Sequence, residues 1–587
     1  LVVDKLYRYV HDKDFSSWKN NICIAADDGD EAIHAEQADR GSDTLLLKNT
    51  SQPRLGFRVN KIYIDSYYMD PQTKKYPEAN RELMKQFNEG MLVFNYIGHN
   101  DPEVGFTGEG LFSRYEMDHL TNTRLPLFIT ITCDYCQFDA EDVSAGENVF
   151  LNPSAGAIAL ITTTRVVYTD GNDKINQRLM KRLLERDSNG SPLRIGDVLK
   201  LAKRDFNTEI DKNKLNYVLI GDPALKLAYP EHSIQVTRIN GNSGEKNIEM
   251  IPGKNYTVEG EIRSHQNELL SDFNGYIYYN LYDKEKQFTT LAHQDKKTWT
   301  YTHRPDLLTT GKGTIQNGTF RITVALPIDN SHSGKSGLLN LYAYDESGRE
   351  ANGYTDKLIV STAVEPITED IQGPDIEFAG INDDSFTEGI LVNNPATFVC
   401  KFSDPSGIWS GNSLGKQMTL SLDGACIEEN VARYYKPIAE SEIPEGEFIY
   451  PLPRLSNGLH TLTFKVFDTL GNSSEVTIAF EVKENSETYT ISLEEEPATE
   501  RATISCQDQN GNDVTESKHT RISVTNTLGE EIWSYETTEN NLFPLTWNLQ
   551  DNNGKRVSAG QYYCKGYFET SAGTIVTPAK KIVVITQ

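Results

Sequence analysis

The sequence has little positive charge and lacks long apolar runs. Lysine and arginine number 57 against 84 aspartates and glutamates, which gives a formal net charge of −27. Phosphate binding needs clustered cations, so this deficit argues against a nucleic-acid partner. No stretch approaches the roughly 20 apolar residues of a membrane-spanning helix. The longest apolar runs, such as 125–131, have the length of strands.

Cysteine is also scarce, with seven residues in 587. Seven are too few for a disulfide scaffold in a chain of this length. Cys133 and Cys136 form a single C-x-x-C, and no second ligand pair at zinc-binding spacing accompanies it. In a thioredoxin-like redox pair, the cysteines lie at the start of a helix. Here Cys133 ends a strand-like run. We therefore predict no metal ligands among the cysteines and no required cofactor.

The length is too great for one hydrophobic core and predicts three to five domains. No signal peptide is visible at the start. The chain lacks an initiating Met and opens inside a helical pattern. We expect it to be the C-terminal part of a longer protein, with the first domain incomplete at its N-terminus.

Residues 1–230 alternate between helix-period and strand-period segments. The predicted strands are continuous apolar runs, which is typical of a mainly parallel sheet covered by helices on both faces. In such sheets, functional sites form outside the carboxyl ends of the strands. The strands are predicted at 22–26, 61–65, 91–97, 126–133 and 157–163. The helices are predicted at 1–12, 32–48, 77–88, 114–120, 175–185 and 195–207.

After residue 230 the helical periodicity disappears. Short alternating strands recur, separated by turns rich in Gly, Asn, Asp and Pro, which predicts a series of β-sandwiches. Two acidic segments, 364–374 and 483–497, suggest boundaries. The predicted modules are a β-sandwich at 231–366 and immunoglobulin-like β-sandwiches at 367–484 and 485–587.

Two strand ends carry residues suited to nucleophilic catalysis. The strand at 91–97 runs into Gly98 and His99, and the strand at 126–133 ends on Cys133. A thiol nucleophile needs a base to form its thiolate, and imidazole suits that task near neutral pH. If the two strands are neighbours, we expect Cys133 as nucleophile and His99 as general base and acid. The backbone N–H groups of Asn100 and Cys133 would stabilise an oxyanion.

Other residues near these strand ends have weaker claims to the site. Asp65, at the end of the strand 61–65, would orient His99 or cap the following turn. Glu147 would supply a carboxylate near the site or answer the helix macrodipole. Arg165 would face the substrate cleft or form an ordinary ion pair. Cys136 offers a second thiol, which we interpret as a packed side chain. The acidic loop 27–30 has the oxygen density that a structural calcium ion requires.

Five motifs occur in an order that resembles the gingipain-type cysteine peptidases of family C25. The resemblance covers about residues 1–230 and is strongest to the sortase of the type IX secretion system. The motifs are NYIGH at 95–99, LPLFITITCD at 125–134, SAGE at 144–147, TTTRVVY at 162–168 and LIGDPAL at 219–225.

The resemblance implies a caspase-like catalytic domain on the surface of a Bacteroidetes-type bacterium, associated with the outer membrane. It assigns the nucleophile to Cys133 and the base to His99. Such a sortase removes C-terminal signal domains from secreted cargo proteins and attaches the cargo to anionic lipopolysaccharide through a thioester intermediate. It works beside an outer-membrane β-barrel protein (PorV-like). Asn100 departs from the Gly that often follows the histidine in these families.

Two other functions are compatible with the sequence. The first is a secreted gingipain-like endopeptidase that cuts after Arg or Lys, although no residue is assigned to the acidic pocket such an enzyme needs. The segment 162–168 favours the sortase. The second is a catalytically silent adhesin or assembly scaffold, which three β modules on an acidic chain would suit.

Overall fold

A computed structural model describes most of the chain. The description covers residues 2–585 except 13, 29, 49, 51–52, 102–104, 107–109, 207–211, 295, 329–333, 362–369, 383–390, 393, 412–414, 429, 439–442, 483–488, 495–496, 509–510, 516, 527–530, 540–541 and 571–572.

The described residues of the first domain form nine strands and eight α-helices. The strands are β1 (Asn21–Ala26), β2 (Arg58–Tyr63), β3 (Val93–Ile97), β4 (Asn100–Asp101), β5 (Gly105–Phe106), β6 (Phe112–Ser113), β7 (Leu127–Ile131), β8 (Ala159–Thr163) and β9 (Tyr217–Ile220). The helices are α1 (Val2–Val10), α2 (Ile33–Leu46), α3 (Pro77–Glu89), α4 (Arg114–Asp118), α5 (Ala145–Leu151), α6 (Thr169–Leu183), α7 (Ile195–Arg204) and α8 (Lys212–Asn216). Two 3₁₀ turns cover Ser17–Asn20 and Ile64–Ser66.

Six of these strands form one sheet in the order β2-β1-β3-β7-β8-β9. The first five are parallel, and β9 pairs antiparallel with β8. Alternate residues of β1 face two separate cores, with Ile22 and Ile24 in one and Cys23 and Ala25 in the other. Helices α2, α6 and α7 cover the first face, and α3, α4 and α5 cover the second. The predicted doubly covered, mainly parallel sheet is confirmed.

The strand order follows from the crossover connections. After β1, the chain crosses through α2 to β2 on one side, then returns through α3 to place β3 on the other side of β1. Strands β2 and β3 therefore follow one another in the sequence, but β1 lies between them in the sheet. Strands β4, β5 and β6 form a small separate sheet beside the carboxyl end of β3.

The next module closes its sheet on itself. Its main sheet runs β11-β10-β13-β18-β17-β14-β19-β20, and a parallel pairing of β20 with β10 completes the circle. Here the structure differs from the expected pair of separate sheets, because closure removes exposed strand edges. The strands are β10 (His232–Ile239), β11 (Asn242–Ser243), β12 (Ile248–Met250), β13 (Asn255–Arg263), β14 (Gly275–Tyr282), β15 (Lys286–Thr289), β16 (Thr300–His303), β17 (Leu307–Gln316), β18 (Thr319–Ala325), β19 (Leu338–Asp345), β20 (Glu350–Thr355) and β21 (Leu358–Val360).

The last two modules are two-sheet sandwiches, each around its own core. The third module contains the 3₁₀ turn Ala432–Tyr434 and the strands β22 (Asp375–Ile381), β23 (Leu391–Val392), β24 (Thr397–Ser403), β25 (Thr419–Leu422), β26 (Ala425–Glu428), β27 (Tyr435–Ile438), β28 (Glu445–Pro451), β29 (Gly458–Phe467) and β30 (Ser473–Val482). The fourth contains β31 (Thr490–Leu493), β32 (Ala502–Gln507), β33 (His519–Asn526), β34 (Glu531–Thr537), β35 (Leu545–Trp547), β36 (Gly560–Thr570), β37 (Gly573–Val576) and β38 (Lys580–Val584). The predicted α/β domain followed by β modules is confirmed as a fold class.

The barrel packs against the first domain through polar contacts as well as apolar ones. Lys19 Nζ lies 2.8 Å from Glu350 Oε1, and both side chains are largely buried. Asn352 Nδ2 donates to Asn20 Oδ1 at 3.0 Å. The two modules therefore share a specific interface. None of the helices in the described part of the chain has the length and apolar content needed to span a membrane.

Candidate active site

His99 and Cys133 lie at the same edge of the sheet. Strands β3 and β7 are parallel neighbours, and their register pairs Ile97 with Ile131. His99 and Cys133 each follow their paired residue by two positions. The sheet therefore brings the two residues to matching places beyond the carboxyl ends of adjacent strands, as the sequence predicted.

Gly98 lets the chain leave β3 through a very narrow space. A Cβ built on this residue would meet the Asp27 carboxylate and would lie 2.6 Å from the Tyr96 hydroxyl. Real Cβ atoms do not approach neighbours so closely. A residue without a side chain is required here so that His99 can pass beside Asp27.

Asp27, directly after β1, holds the His99 backbone in place. Its Oδ2 accepts a hydrogen bond from the His99 N–H at 2.5 Å, and its Oδ1 is hydrogen-bonded to His34 Nδ1. Burial would raise the pKa of Asp27, but the charge and hydrogen bond of His34, with the His99 amide, hold that pKa below its ordinary value. From the sequence, Asp27 is predicted only as part of the calcium-binding loop 27–30. The rule that sites form at strand carboxyl ends could have found it, because β1 lies next to β3.

The His99 imidazole faces a second carboxylate, that of Asp30. Its Nε2 lies 3.5 Å from Asp30 Oδ2, and its ring contacts the His34 ring edge-on at a centroid distance of 5.0 Å. Asp30 and the next two residues, Glu31 and Ala32, all have left-handed backbone conformations. Such conformations are costly for residues with a Cβ and cluster at functional sites. Here they aim Asp30 at the histidines, and half of the His99 side chain stays exposed to solvent.

Cys133 is half-buried, and its thiol donates to the Val167 carbonyl at 3.4 Å. Val167 belongs to the loop after β8, so three strand ends meet at the nucleophile. Asn100 Nδ2 donates to the Cys133 carbonyl at 3.1 Å and ties the histidine loop to the cysteine loop. Among the residues that the structure describes, no acceptor takes the Cys133 backbone N–H. That amide is available for an oxyanion, while Asn100 braces the loop through its side chain.

Cys136 lies in a different environment. It is fully buried, and its backbone N–H donates to the Thr163 carbonyl. Burial raises the pKa of its thiol to about 11, which outweighs the opposing effect of the Ser144 hydrogen bond. A buried thiol with a raised pKa is a poor nucleophile. This environment agrees with the interpretation of Cys136 as a packed side chain.

The structure does not bring Asp65 to His99. Asp65 lies in the 3₁₀ turn after β2, and β1 separates that strand from β3. Its carboxylate accepts from the backbone N–H groups of Ala292 and His293 at 2.7 and 2.9 Å, and from His293 Nδ1 at 3.0 Å. The prediction that Asp65 orients His99 is therefore wrong. Asp65 anchors a loop of the barrel module instead, and Asp27 supports His99.

Glu147 and Arg165 adopt the structural alternatives stated for them. Glu147 closes a capping box at the start of α5, where its Oε2 accepts from the Ser144 backbone N–H at 2.9 Å. Arg165 pairs with Asp139 at 2.6 Å, and both side chains are half exposed. Neither side chain has a contact with His99 or Cys133 among the described interactions.

Among the residues that the structure describes, two groups of side chains have the composition to hold a cation. Asp27, His34 and His99 place ligand atoms within 4.8 Å of one another, as do Asp370, Asp404 and Asp468 in the third module. The calcium expected at 27–30 stays a prediction. Two of that loop's carboxylates already accept protein donors: Asp27 accepts from the His99 N–H, and Asp28 accepts from Tyr76 and Gln294.

The arrangement can support acyl transfer. The half-buried thiol and the half-exposed imidazole follow paired ends of neighbouring strands. Asp27 holds the His99 backbone, Asp30 faces the His99 ring, and the Cys133 N–H has no acceptor among the described residues. Those are the parts that nucleophilic cysteine catalysis requires: nucleophile, base, base orientation and an oxyanion donor. In the resting state the thiol donates to Val167, so its proton must transfer to His99 before attack.

Comparison with known proteins identifies a family for the first domain. Residues 1–228 match the model of peptidase family C25. No curated protein matches the sequence. A crystal structure of dimeric latent PorU from Porphyromonas gingivalis is 18% identical, with a TM-score of 0.32. It aligns with 97% of this chain, which spans 64% of the PorU chain.

The pro- and mature-domain complex of RgpB from the same organism is 16% identical over 61% of this chain and 73% of its own, with a TM-score of 0.31. These structural scores are too low to carry an argument about activity. The family model rests on the sequence and covers the region that contains both His99 and Cys133. Residues 1–228 of this chain therefore belong to peptidase family C25, the gingipain-type cysteine peptidases.

Proposed function

We propose that this chain is a cell-surface cysteine transpeptidase of the sortase type. It removes the C-terminal signal domain of secreted cargo proteins and attaches the cargo to an amine of anionic lipopolysaccharide. The observation that carries the proposal is the contact between Cys133 and Val167. Val167 lies in the segment 162–168, whose sequence resembles the sortase, and that segment lines the nucleophile.

The reaction follows from the groups at the site. His99 takes the thiol proton, and the Cys133 thiolate attacks the scissile carbonyl while the Cys133 N–H stabilises the oxyanion. Collapse breaks the C–N bond, and His99 gives its proton to the leaving amine, so that the cargo remains as a thioester. An acceptor amine then attacks the thioester and transfers a proton to His99. The new amide forms as the Cys133 thiolate leaves.

The setting of the enzyme is part of the same proposal. We place it on the surface of a Bacteroidetes-type bacterium, beside an outer-membrane β-barrel partner of the PorV type. The net charge of −27 fits a surface without nucleic-acid partners. The β modules supply surfaces suited to cargo and partner binding.

One experiment separates this function from plain peptidase activity. Purified protein is incubated with a cargo protein that carries its signal domain, with and without a primary amine, and products are identified by mass spectrometry. The proposal expects release of the signal domain and an amide-linked cargo–amine product. Hydrolysed cargo alone, even at high amine concentration, would point to a gingipain-like endopeptidase. No release at all would favour a catalytically silent scaffold.

A further inference from the structure

Two histidines and two carboxylates converge at the carboxyl end of the sheet. Asp30 Oδ2 lies 3.5 Å from His99 Nε2 and 3.7 Å from His34 Nε2. The ligand atoms of Asp27, His34 and His99 all lie within 4.8 Å of one another. Asp30, His34 and His99 therefore place three potential ligands beside one point, and Asp27 lies behind His34 on its other ring nitrogen.

The spacing is close to that of a tetrahedral transition-metal site. Ligand atoms about 2.0–2.2 Å from a tetrahedral zinc ion are separated from each other by about 3.3–3.6 Å. The two distances from Asp30 to the imidazoles need to change by no more than a few tenths of an ångström. Asp30 is half exposed, as is His99, so an ion can enter from solvent.

His34 already has the second partner that metal-binding histidines usually have. Its Nδ1 is hydrogen-bonded to Asp27, which is 2% exposed. A carboxylate on one ring nitrogen fixes the tautomer and directs the other nitrogen at the metal. Here that other nitrogen, Nε2, faces Asp30. This hydrogen bond is not required for the acyl-transfer chemistry of Cys133.

The ligand set selects the class of ion. Calcium and magnesium prefer sites built from oxygen alone, whereas imidazole combined with carboxylate suits zinc and similar transition metals. We propose that Asp30, His34 and His99 form a zinc site, with Asp27 orienting His34, and that this site captures the proposed general base. A zinc ion on His99 Nε2 leaves the proton of the ring on Nδ1, so neither nitrogen can take the Cys133 proton. The inhibitory consequence rests on the proposed peptidase function, but the binding site does not.

The binding test needs no enzyme activity. Zinc is titrated by calorimetry into the full chain carrying Cys133→Ala, so that the nucleophile thiol cannot act as a ligand. His34→Asn is then added, because the Asn amide can still donate to Asp27 in place of Nδ1. We expect the affinity to fall at least about 10-fold with His34→Asn, and likewise with Asp30→Asn. His119→Asn, at an exposed histidine outside the cluster, should bind zinc like its parent.

Equal zinc affinity in the parent and His34→Asn, or no binding to the parent, would overturn the site. The switch is tested with the chain that retains Cys133. Cleavage should slow with zinc and recover with a chelator, and the zinc concentration for half inhibition should rise at least about 10-fold in His34→Asn. Zinc that binds to the cluster without slowing cleavage would overturn the switch. Absence of cleavage in metal-free protein would instead count against the proposed function, while the calorimetry still decides the site.

Discussion

Removal of the Asp27 carboxylate should destabilise the first domain and impair catalysis together. In Asp27→Ala, the backbone N–H of His99 and the Nδ1–H of His34 both lose their acceptor. Each buried donor left without an acceptor costs about 1–3 kcal/mol, so the free energy of unfolding should fall by about 2–6 kcal/mol. A loss near 4 kcal/mol should lower the Tm of a domain this size by about 8–16 °C.

Asp27→Asn should lie between the wild type and Asp27→Ala. The Asn oxygen can accept from the His99 N–H, and its amino group can donate to His34 Nδ1 if the histidine moves its proton to Nε2. In Asp27→Ala the His99 N–H has no acceptor at this position, so this variant should lose more unfolding free energy than Asp27→Asn. Calorimetry of the first unfolding transition, together with kcat/KM for cargo cleavage, measures both effects. Asp139→Asn, which removes an exposed carboxylate, is the matched control.

The same carboxylate sets a pH dependence. Because the pKa of Asp27 is lowered on folding, its contribution is complete above its unfolded pKa of about 3.9 and disappears as the pH falls through the folded value. The difference in stability between wild type and Asp27→Ala should therefore be full near pH 6 and shrink below about pH 4. An Asp27→Ala protein with wild-type Tm and kcat/KM at pH 6 would refute this reasoning.

Three further predictions concern the thiols and the interface. Iodoacetamide should label native Cys133 but spare Cys136, since a thiol with a pKa of about 11 is only about 0.03% thiolate at pH 7.5; equal labelling in peptide mass spectrometry would contradict this. Lys19→Met should lower the free energy of unfolding by about 3 kcal/mol, because it leaves Glu350 buried without its cation. The exposed Arg194–Asp197 pair provides the control for Lys19→Met. Arg194→Met should change the free energy of unfolding by less than about 1 kcal/mol. Asp65→Ala should increase hydrogen exchange at Ala292 and His293, whose backbone N–H groups lose their carboxylate acceptor; unchanged exchange at both residues would refute the anchoring role.

The sequence was sufficient to predict the five parallel strands of the sheet and the place of His99 and Cys133 at its edge, but not the sixth, antiparallel strand β9. Five continuous apolar runs predicted the parallel strands, and the observed strands overlap all of them. Strand ends then located His99 and Cys133, because parallel neighbours align their carboxyl ends. The structure distinguishes the two thiols by their burial, because Cys136 is fully buried and Cys133 is not. Their spacing in the sequence does not provide this distinction.

The side chains that contact His99 could not be predicted, because they depend on the order of the strands in the sheet. Asp65 and His99 follow strands that are close along the sequence, but β1 lies between those strands. Asp27 follows β1 and is remote from His99 in sequence, yet it is adjacent in space. His34 and Asp30 reach the site only because the backbone at 30–32 takes a left-handed course. The closure of the barrel similarly depends on a pairing of β10 with β20, which local patterns do not encode.

The central claim, that Cys133 is the nucleophile, is tested most directly by trapping the acyl-enzyme. Turnover with cargo protein is quenched in acid, the protein is digested, and the thioester is mapped by mass spectrometry. We predict cargo attached to the peptide that contains both thiols in the wild type, retained in Cys136→Ala and absent in Cys133→Ala. An adduct that persists in Cys133→Ala and disappears in Cys136→Ala would contradict the account.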